Sequence, residues 1–126
     1  MRYREASPKD QSDVNKLLRS FGFPEQDVLW PTILAHDDDG LVGIMATTPN
    51  DQMVLAGPLV MRDDKRRPIT LIRLVELYEA ALGAVGVRSY IFHTRMDGPL
   101  YKHVKTLFEI EPYASDGENA FFHRRF

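Results

Sequence analysis

The chain has 126 residues, of which 44% are hydrophobic and 27% charged, proportions that exclude a largely disordered chain and predict one domain over residues 1–126. A formal net charge of −2 argues against a protein that coats nucleic acid, and the absence of cysteine excludes disulfides and thiolate chemistry. The polar N-terminus and the lack of a long apolar run predict a soluble, cytoplasmic protein with no membrane partner.

The first predicted elements are a strand and a helix. Residues 2–6 alternate in polarity, which is typical of a strand. Ser7 and Pro8 follow, with Asp10 three residues after the serine. A capping serine, a proline at the first helical position and an acid in the first turn together indicate the start of a helix. Apolar residues then recur at helical spacing until Gly22, where we expect the helix to end.

The next three predicted elements are strands. Residues 32–36 and 41–48 flank an Asp-Asp-Asp-Gly turn, which is a hairpin signal because Asp and Gly tolerate positive φ. Residues 52–61 read as a third strand. Gly57 and Pro58 lie in its middle and predict a bulge or a splay, since proline cannot donate to the ladder of a sheet.

Helices and strands alternate in the rest of the chain. We predict a long helix over residues 69–85, a strand over 87–94, a helix over 99–108 and a last strand around 120–123. The strand, helix and strand between residues 52 and 94 predict a right-handed crossover with nearly parallel strands. The expected fold class is therefore α/β: a mixed, mostly antiparallel sheet with a splayed near-parallel pair at its centre and helices on both faces.

Basic residues gather just before the long helix. Arg62, Lys65, Arg66 and Arg67 precede a predicted helix start at Pro68. The N-terminus of a helix exposes unpaired N–H groups and the positive end of the dipole, so this turn predicts a phosphate or pyrophosphate site. The same charges would also suit an ordinary solvated loop, and that alternative stays open.

In this order, the segments resemble the GCN5-related N-acetyltransferase (GNAT) family over most of the chain. RYREASPKDQSDVNKLLRSFGF is similar to the first strand and helix of the family, and TILAHDDDGLVGIMATTP to its second and third strands. LVMRDDKRRPIT lies where the family has a strand end and a basic loop with glycines. Lys65 takes the first basic position there, and Pro68 and Thr70 fall where glycines are expected. VRSYIFHT and GPLYKHV match the fifth strand and the last helix.

The resemblance implies transfer of an acyl group from a coenzyme A thioester, acetyl-CoA or another acyl-CoA, to an amine of a small molecule or a protein. It implies no metal. It also implies that the strand end contacts the thioester and pantetheine, and that the loop and helix start bind the pyrophosphate. The cofactor-binding residues implied are Leu59, Val60 and Met61 at the strand end, and Lys65, Arg66, Arg67, Pro68, Ile69 and Thr70 in the loop and helix.

Two catalytic residues follow from the same resemblance. Tyr101 opens the last helix and would be the general acid that protonates the leaving thiolate; alternatively it is a half-buried helix aromatic. His93, near the end of the fifth strand and on the face opposite Phe92, would be the base, with a solvent-facing histidine as the alternative. Trp30 would line the substrate cleft or serve as a rim aromatic.

A second function stays open beside the enzyme. The loss of the loop glycines is compatible with a catalytically inactive or repurposed domain of this fold that binds a protein or nucleic acid, as small phage-encoded relatives of the family suggest. Both a monomer and a homodimer are compatible with the sequence. Binding of acetyl-CoA would separate the enzyme from the repurposed domain.

Overall fold

The structure, a computed structural model, describes residues 1–62 and 67–126, apart from the side chains of Arg67, Pro99 and Leu107. These residues form a single sheet of seven strands with three α-helices. The strands are β1 (Arg2–Glu5), β2 (Ile33–Asp37), β3 (Gly40–Thr48), β4 (Leu55–Met61), β5 (Ser89–Arg95), β6 (Ala114–Ser115) and β7 (Asn119–Arg125). The helices are α1 (Gln11–Ser20), α2 (Arg67–Ala84) and α3 (Pro99–Phe108), and a 3-10 turn over Pro8–Asp10 precedes α1.

The sheet confirms the predicted fold class. Its strand order is β1-β2-β3-β4-β5-β7-β6, and every neighbouring pair is antiparallel except β4 and β5, which are parallel. Only β6 was not predicted; its two residues are too few to show a periodic pattern. None of the described helices is long and apolar enough to cross a membrane.

The predicted strand over 52–61 was three residues too long at its start. The strand begins at Leu55, because the Asn50 side chain accepts the backbone N–H groups of Gln52 and Met53 at 2.8 and 3.2 Å. Such side-chain turns compete with the hydrogen bonds of a sheet. The helix that follows β4 in the chain, α2, begins at Arg67, one residue before the start predicted at Pro68.

The helices cover both faces of the sheet, as predicted. α1 buries Val14 and Leu18 against Leu34 and Ile44 of the central strands. The opposite face carries α2, whose buried side chains include Leu71, Leu74, Tyr78 and Leu82. α3 lies on the α2 face, since its Val104 packs against Phe122 and, through it, against Phe92. The sheet is thus a layer between two hydrophobic cores.

The start of α1 is held by a buried carboxylate. Asp10 accepts two hydrogen bonds from the Arg4 guanidinium, at 2.8 and 2.7 Å, and one from the backbone N–H of Ser7 at 2.8 Å. The hydrogen bond from Arg4 is the largest of the effects that lower the pKa of Asp10 to about 2. The cap predicted from Ser7, Pro8 and Asp10 is therefore confirmed, and it ties β1 to α1.

Replacement of Asp10 by asparagine should make the stability of the fold less dependent on acid pH. Because the pKa of Asp10 is lower in the folded chain than in the unfolded one, its contribution is complete above about pH 4 and is lost as the pH falls towards 2. We expect Asp10→Asn to lower the free energy of unfolding by about 1–2 kcal/mol at pH 7, a range reduced for solvent screening at the half-exposed Arg4.

Urea denaturation at pH 7 and pH 3 measures this effect. The control is Asp13→Asn, an exposed carboxylate in the same helix, for which the change should stay below about 0.5 kcal/mol. An equal loss of stability in the two variants, or an Asp10→Asn loss that is as large at pH 3 as at pH 7, would contradict the assignment.

Candidate active site

The parallel strands β4 and β5 share a single register pair, Leu55 with Ile91. The N–H of Ile91 donates to the carbonyl of Val54 at 3.0 Å, and the two strands then diverge. A cavity of about 670 Å³ opens between them. This size is typical of a small-molecule or cofactor site. The predicted splay is thus confirmed, and it opens a cavity at the centre of the sheet.

A bulge in β4 sets the direction of the backbone in this gap. Met45 pairs with Leu59 and Thr47 with Ala56, so two steps along β3 correspond to three along β4. The side chains agree: Ala56 and Met61 pack into the same core, although residues five apart in a regular strand point to opposite faces. Gly57 lies in the bulge with φ +129°, a conformation that favours glycine.

Two backbone N–H groups of β4, beyond the bulge, face the gap. Arg62 donates its N–H to the carbonyl of Val42 on β3 at 2.8 Å. Successive N–H groups along a strand point to opposite edges, so those of Met61 and Leu59 point away from β3, to the side from which β5 has diverged. All three strand residues predicted to bind the cofactor (Leu59, Val60 and Met61) line the cavity.

The cavity is lined by residues from both faces of the sheet. On one face it is lined by Val75 of α2 and by Val104 and Phe108 of α3. On the other face it is lined by Phe21 and Phe23, which follow α1. Two molecules that enter from opposite faces would therefore meet between β4 and β5.

Of the two predicted catalytic residues, His93 lines the cavity and Tyr101 does not. His93 is exposed on the face opposite Phe92, as predicted, and its ring lies 5.7 Å from that of Phe121. Tyr101 lines a neighbouring depression that adjoins the cavity at Gly98. The ammonium of Lys105 lies 5.3 Å from the centre of the Tyr101 ring.

Thr94 was missed by the sequence reasoning. Its side chain lines the cavity and is 8% exposed, and its hydroxyl has no hydrogen-bond partner among the described residues. Thr94 lies on β5 three residues beyond Ile91, past the last register pair with β4, and it lines the same cavity as Leu59. A buried hydroxyl without a partner is costly, which suggests a ligand as the missing partner. One signal in the sequence could have found it: Thr94 follows Tyr90 and Phe92 at strand spacing, so a hydroxyl lies on the same side of β5 as these two aromatic residues.

A buried polar network forms part of the cavity wall. Glu79 of α2 accepts hydrogen bonds from the hydroxyl of Tyr90 at 2.7 Å and from the guanidinium of Arg124 at 2.8 and 3.2 Å. Burial, followed by the nearby carboxylate of Glu79, raises the pKa of Tyr90, so the phenol stays neutral. Arg124 also lies over the ring of Phe108 at 5.4 Å. The network joins α2, β5, β7 and α3 around the cavity.

The predicted pyrophosphate site is only partly described. Lys65 and Arg66 lie outside the described residues. Arg67 and Pro68 open α2, Ile69 is exposed and Thr70 is buried in the first turn. The first N–H groups of an α-helix have no acceptor within the helix, so the start of a helix as long as α2 favours an anion. The pyrophosphate site itself stays a prediction.

Solved structures of N-acetyltransferases share this fold over almost the whole chain. The aminoglycoside 6'-N-acetyltransferase from Enterococcus faecium has a TM-score of 0.73 at 17% identity and covers 99% of this chain and 97% of its own. The PaiA N-acetyltransferase from Thermoplasma acidophilum, solved with coenzyme A, has a TM-score of 0.75 at 11% identity, with coverage of 99% and 98%.

A third structure carries the family name. A GNAT-family N-acetyltransferase from Escherichia coli, in complex with CoA, has a TM-score of 0.63 at 20% identity and covers 98% of this chain and 80% of its own. A scan with models of protein families and a search of curated proteins found no match. The seven-stranded sheet with one splayed parallel pair, together with its agreement with these structures, identifies the fold of this chain as that of the GNAT N-acetyltransferases.

Proposed function

We propose that this chain is an N-acyltransferase that transfers the acetyl group of acetyl-CoA to an amine. The observation that carries the proposal is the gap between β4 and β5, where a cavity is lined from both faces of the sheet and the N–H groups of Leu59 and Met61 point towards the diverged β5. Backbone N–H groups so arranged can stabilise the oxyanion that forms when an amine attacks a thioester carbonyl. The coenzyme A in the related structures adds support for the donor.

In this mechanism the donor and the acceptor approach from opposite faces of the sheet. The amine nitrogen forms a bond to the thioester carbon, the carbonyl electrons move to oxygen, and the N–H groups at Leu59 and Met61 stabilise the negative charge. His93, at the cavity wall, accepts the proton that the amine releases, directly or through water. The oxyanion then re-forms the carbonyl as the C–S bond breaks with its electron pair on sulfur, and Tyr101 protonates the thiolate.

The start of α2 would bind the pyrophosphate of the donor. The proposed residues are Arg67, Pro68, Ile69 and Thr70 at the helix start together with Lys65 and Arg66. What supports this is the length of α2 and the basic sequence before it. Positive side chains and free N–H groups at a helix start favour an anion. Pro68 and Thr70 take the place of glycines, so charged side chains would supply part of the binding.

Thermal unfolding in the presence of acetyl-CoA tests the proposed function. A ligand at about 100 times its Kd should stabilise the folded chain by about 2.7 kcal/mol, so the Tm should rise with the concentration of acetyl-CoA. ATP, which shares the nucleotide but lacks the pantetheine, is the control and should give a smaller rise. No shift with acetyl-CoA would overturn the enzyme proposal and favour the repurposed domain, to which the replacement of loop glycines also points.

Thr94 would hydrogen-bond the thioester end of the donor. Thr94→Val keeps the shape of the side chain but removes the hydroxyl, and we expect a rise in the KM for acetyl-CoA of about 2- to 10-fold, since such a bond contributes about 0.5–1.5 kcal/mol. The free protein should be at least as stable as the wild type, because the hydroxyl has no partner in it.

Steady-state kinetics and urea denaturation check the two halves of this prediction. Thr94→Ser keeps the hydroxyl and should retain a KM close to that of the wild type. A Thr94→Val protein that is destabilised, with an unchanged KM, would show that the hydroxyl serves the folded state rather than the donor.

A further inference from the structure

Two aromatic rings line the acceptor side of the cavity. Phe21 and Phe23 directly follow α1 and are 42% and 38% exposed. Large apolar side chains that remain exposed at the mouth of a cavity mark a surface that another molecule covers. Together with Pro24 they form an apolar wall on the face of the sheet opposite α2. A donor bound at the start of α2 would leave this face free for the acceptor.

Hydrogen bonds hold this wall in place. The Gln11 side chain donates to the carbonyl of Gln26 at 2.6 Å and accepts the N–H of Val28 at 2.8 Å. The Asn15 side chain accepts the N–H of Gln26 at 3.2 Å, and the Gln26 amide donates to the carbonyl of Thr47 on β3 at 3.1 Å. The segment after α1 is therefore anchored to the helix and to the sheet at Gln26 and Val28. In the wall itself, the N–H groups of Phe21 and Phe23 donate to the carbonyl of Leu18 at 3.1 and 3.0 Å, so its backbone is held against α1.

Among the residues that the structure describes, none of those lining the cavity is acidic, and the lining includes His93 and the guanidinium groups of Arg95 and Arg124. The two carboxylates nearest these arginines are already used: Glu79 is paired with Arg124, and Asp97 with Arg95 at 3.0 Å. A second ammonium group on an acceptor would lose water in this cavity without gaining an anionic partner.

We infer that the acceptor is a primary amine that carries an apolar, preferably aromatic, group and no second positive charge. The inference rests on the proposed function and specifies its acceptor. The apolar group would cover Phe21 and Phe23, and the amine would lie near His93, which takes up its proton on reaction. An amine with a single nitrogen loses its positive charge when it forms the amide, whereas a polyamine keeps the positive charges of its other nitrogens.

Competing acceptors test the inference directly. We expect kcat/KM with acetyl-CoA to be at least about 30-fold higher for 2-phenylethylamine than for spermidine, the difference that one unpaired ammonium would cause at about 2 kcal/mol. Binding of both amines to the protein saturated with CoA, measured by calorimetry, gives a readout that does not depend on turnover. 2-Phenylethylamine should bind more tightly than spermidine.

Variants of the wall should shift this preference. Phe23→Ala should lower kcat/KM for 2-phenylethylamine by about tenfold through lost apolar contact. Phe23→Glu places a carboxylate on the wall and should reverse the order of the two amines. Trp30→Ala is the matched control, because Trp30 is also exposed but does not line the cavity, and it should leave both amines unchanged. Retained stabilisation by acetyl-CoA shows that each variant is folded.

The outcomes separate the acceptor from the function. Equal or better use of spermidine by the wild-type protein, or no binding of 2-phenylethylamine to its CoA complex, would overturn the inference while the transferase proposal stands. A wild-type protein that does not bind acetyl-CoA would overturn the proposed function and the inference with it. If Trp30→Ala lowers kcat/KM for 2-phenylethylamine as much as Phe23→Ala does, the wall does not contact the acceptor and the inference is wrong.

Discussion

Replacing Tyr101 by phenylalanine should lower kcat by at least about 100-fold, with little change in acetyl-CoA affinity, since general acid catalysis typically contributes 10²–10⁴-fold. Tyr101 lies in the first turn of α3, just after β5 ends, and its depression adjoins the cavity at Gly98. The substitution removes only the hydroxyl, so folding should be retained.

Single-turnover kinetics with an accepted amine measure the rate of the transfer step, and the Tm shift caused by acetyl-CoA reports its affinity. Tyr113→Phe is the matched control, because Tyr113 is an exposed tyrosine that lines neither the cavity nor the depression. If Tyr101→Phe turns over like Tyr113→Phe, Tyr101 is only a packing residue. The proton on sulfur would then come from water or His93.

Replacing Glu79 by alanine should destabilise the fold by about 2–4 kcal/mol, because removing one partner leaves a part-buried guanidinium and a buried phenol without their acceptor. The side chains of Glu79 and Arg124 are 12% and 26% exposed, and Tyr90 is buried. The range lies somewhat below that for fully buried pairs, since Arg124 keeps some contact with water. Urea denaturation at pH 7 measures the loss.

Glu76→Ala is the control on the same helix. Glu76 pairs with Arg73 at 3.3 Å, but both side chains are more than half exposed, so the loss should stay within about 0.5 kcal/mol. Similar losses in the two variants would mean that the Glu79 network contributes no more than a surface ion pair. Because Tyr90 and Arg124 also line the cavity, Glu79→Ala should weaken acetyl-CoA binding as well.

Local patterns in the sequence were sufficient for most of the elements. The cap at Ser7, Pro8 and Asp10 and the Asp-Gly turn before β3 depend on contacts within a few residues, and both were predicted correctly. The same holds for the bulge at Gly57 and Pro58, where one residue favours positive φ and the other cannot donate a hydrogen bond. The resemblance to the GNAT family then supplied the strand pairing that these signals leave open.

The sequence by itself determined the helices, the strands other than the short β6, the main turns and the position of the splay, because periodicity and turn chemistry act over short distances along the chain. Only the tertiary structure decided what faces the gap. Thr94 is a candidate ligand contact because no neighbour satisfies its hydroxyl, and Glu79 meets Arg124 across 45 positions of the chain. The aromatic wall at Phe21 and Phe23 likewise depends on hydrogen bonds between α1, the segment that follows it and β3. Such contacts join residues that are distant along the chain, so no local pattern records them.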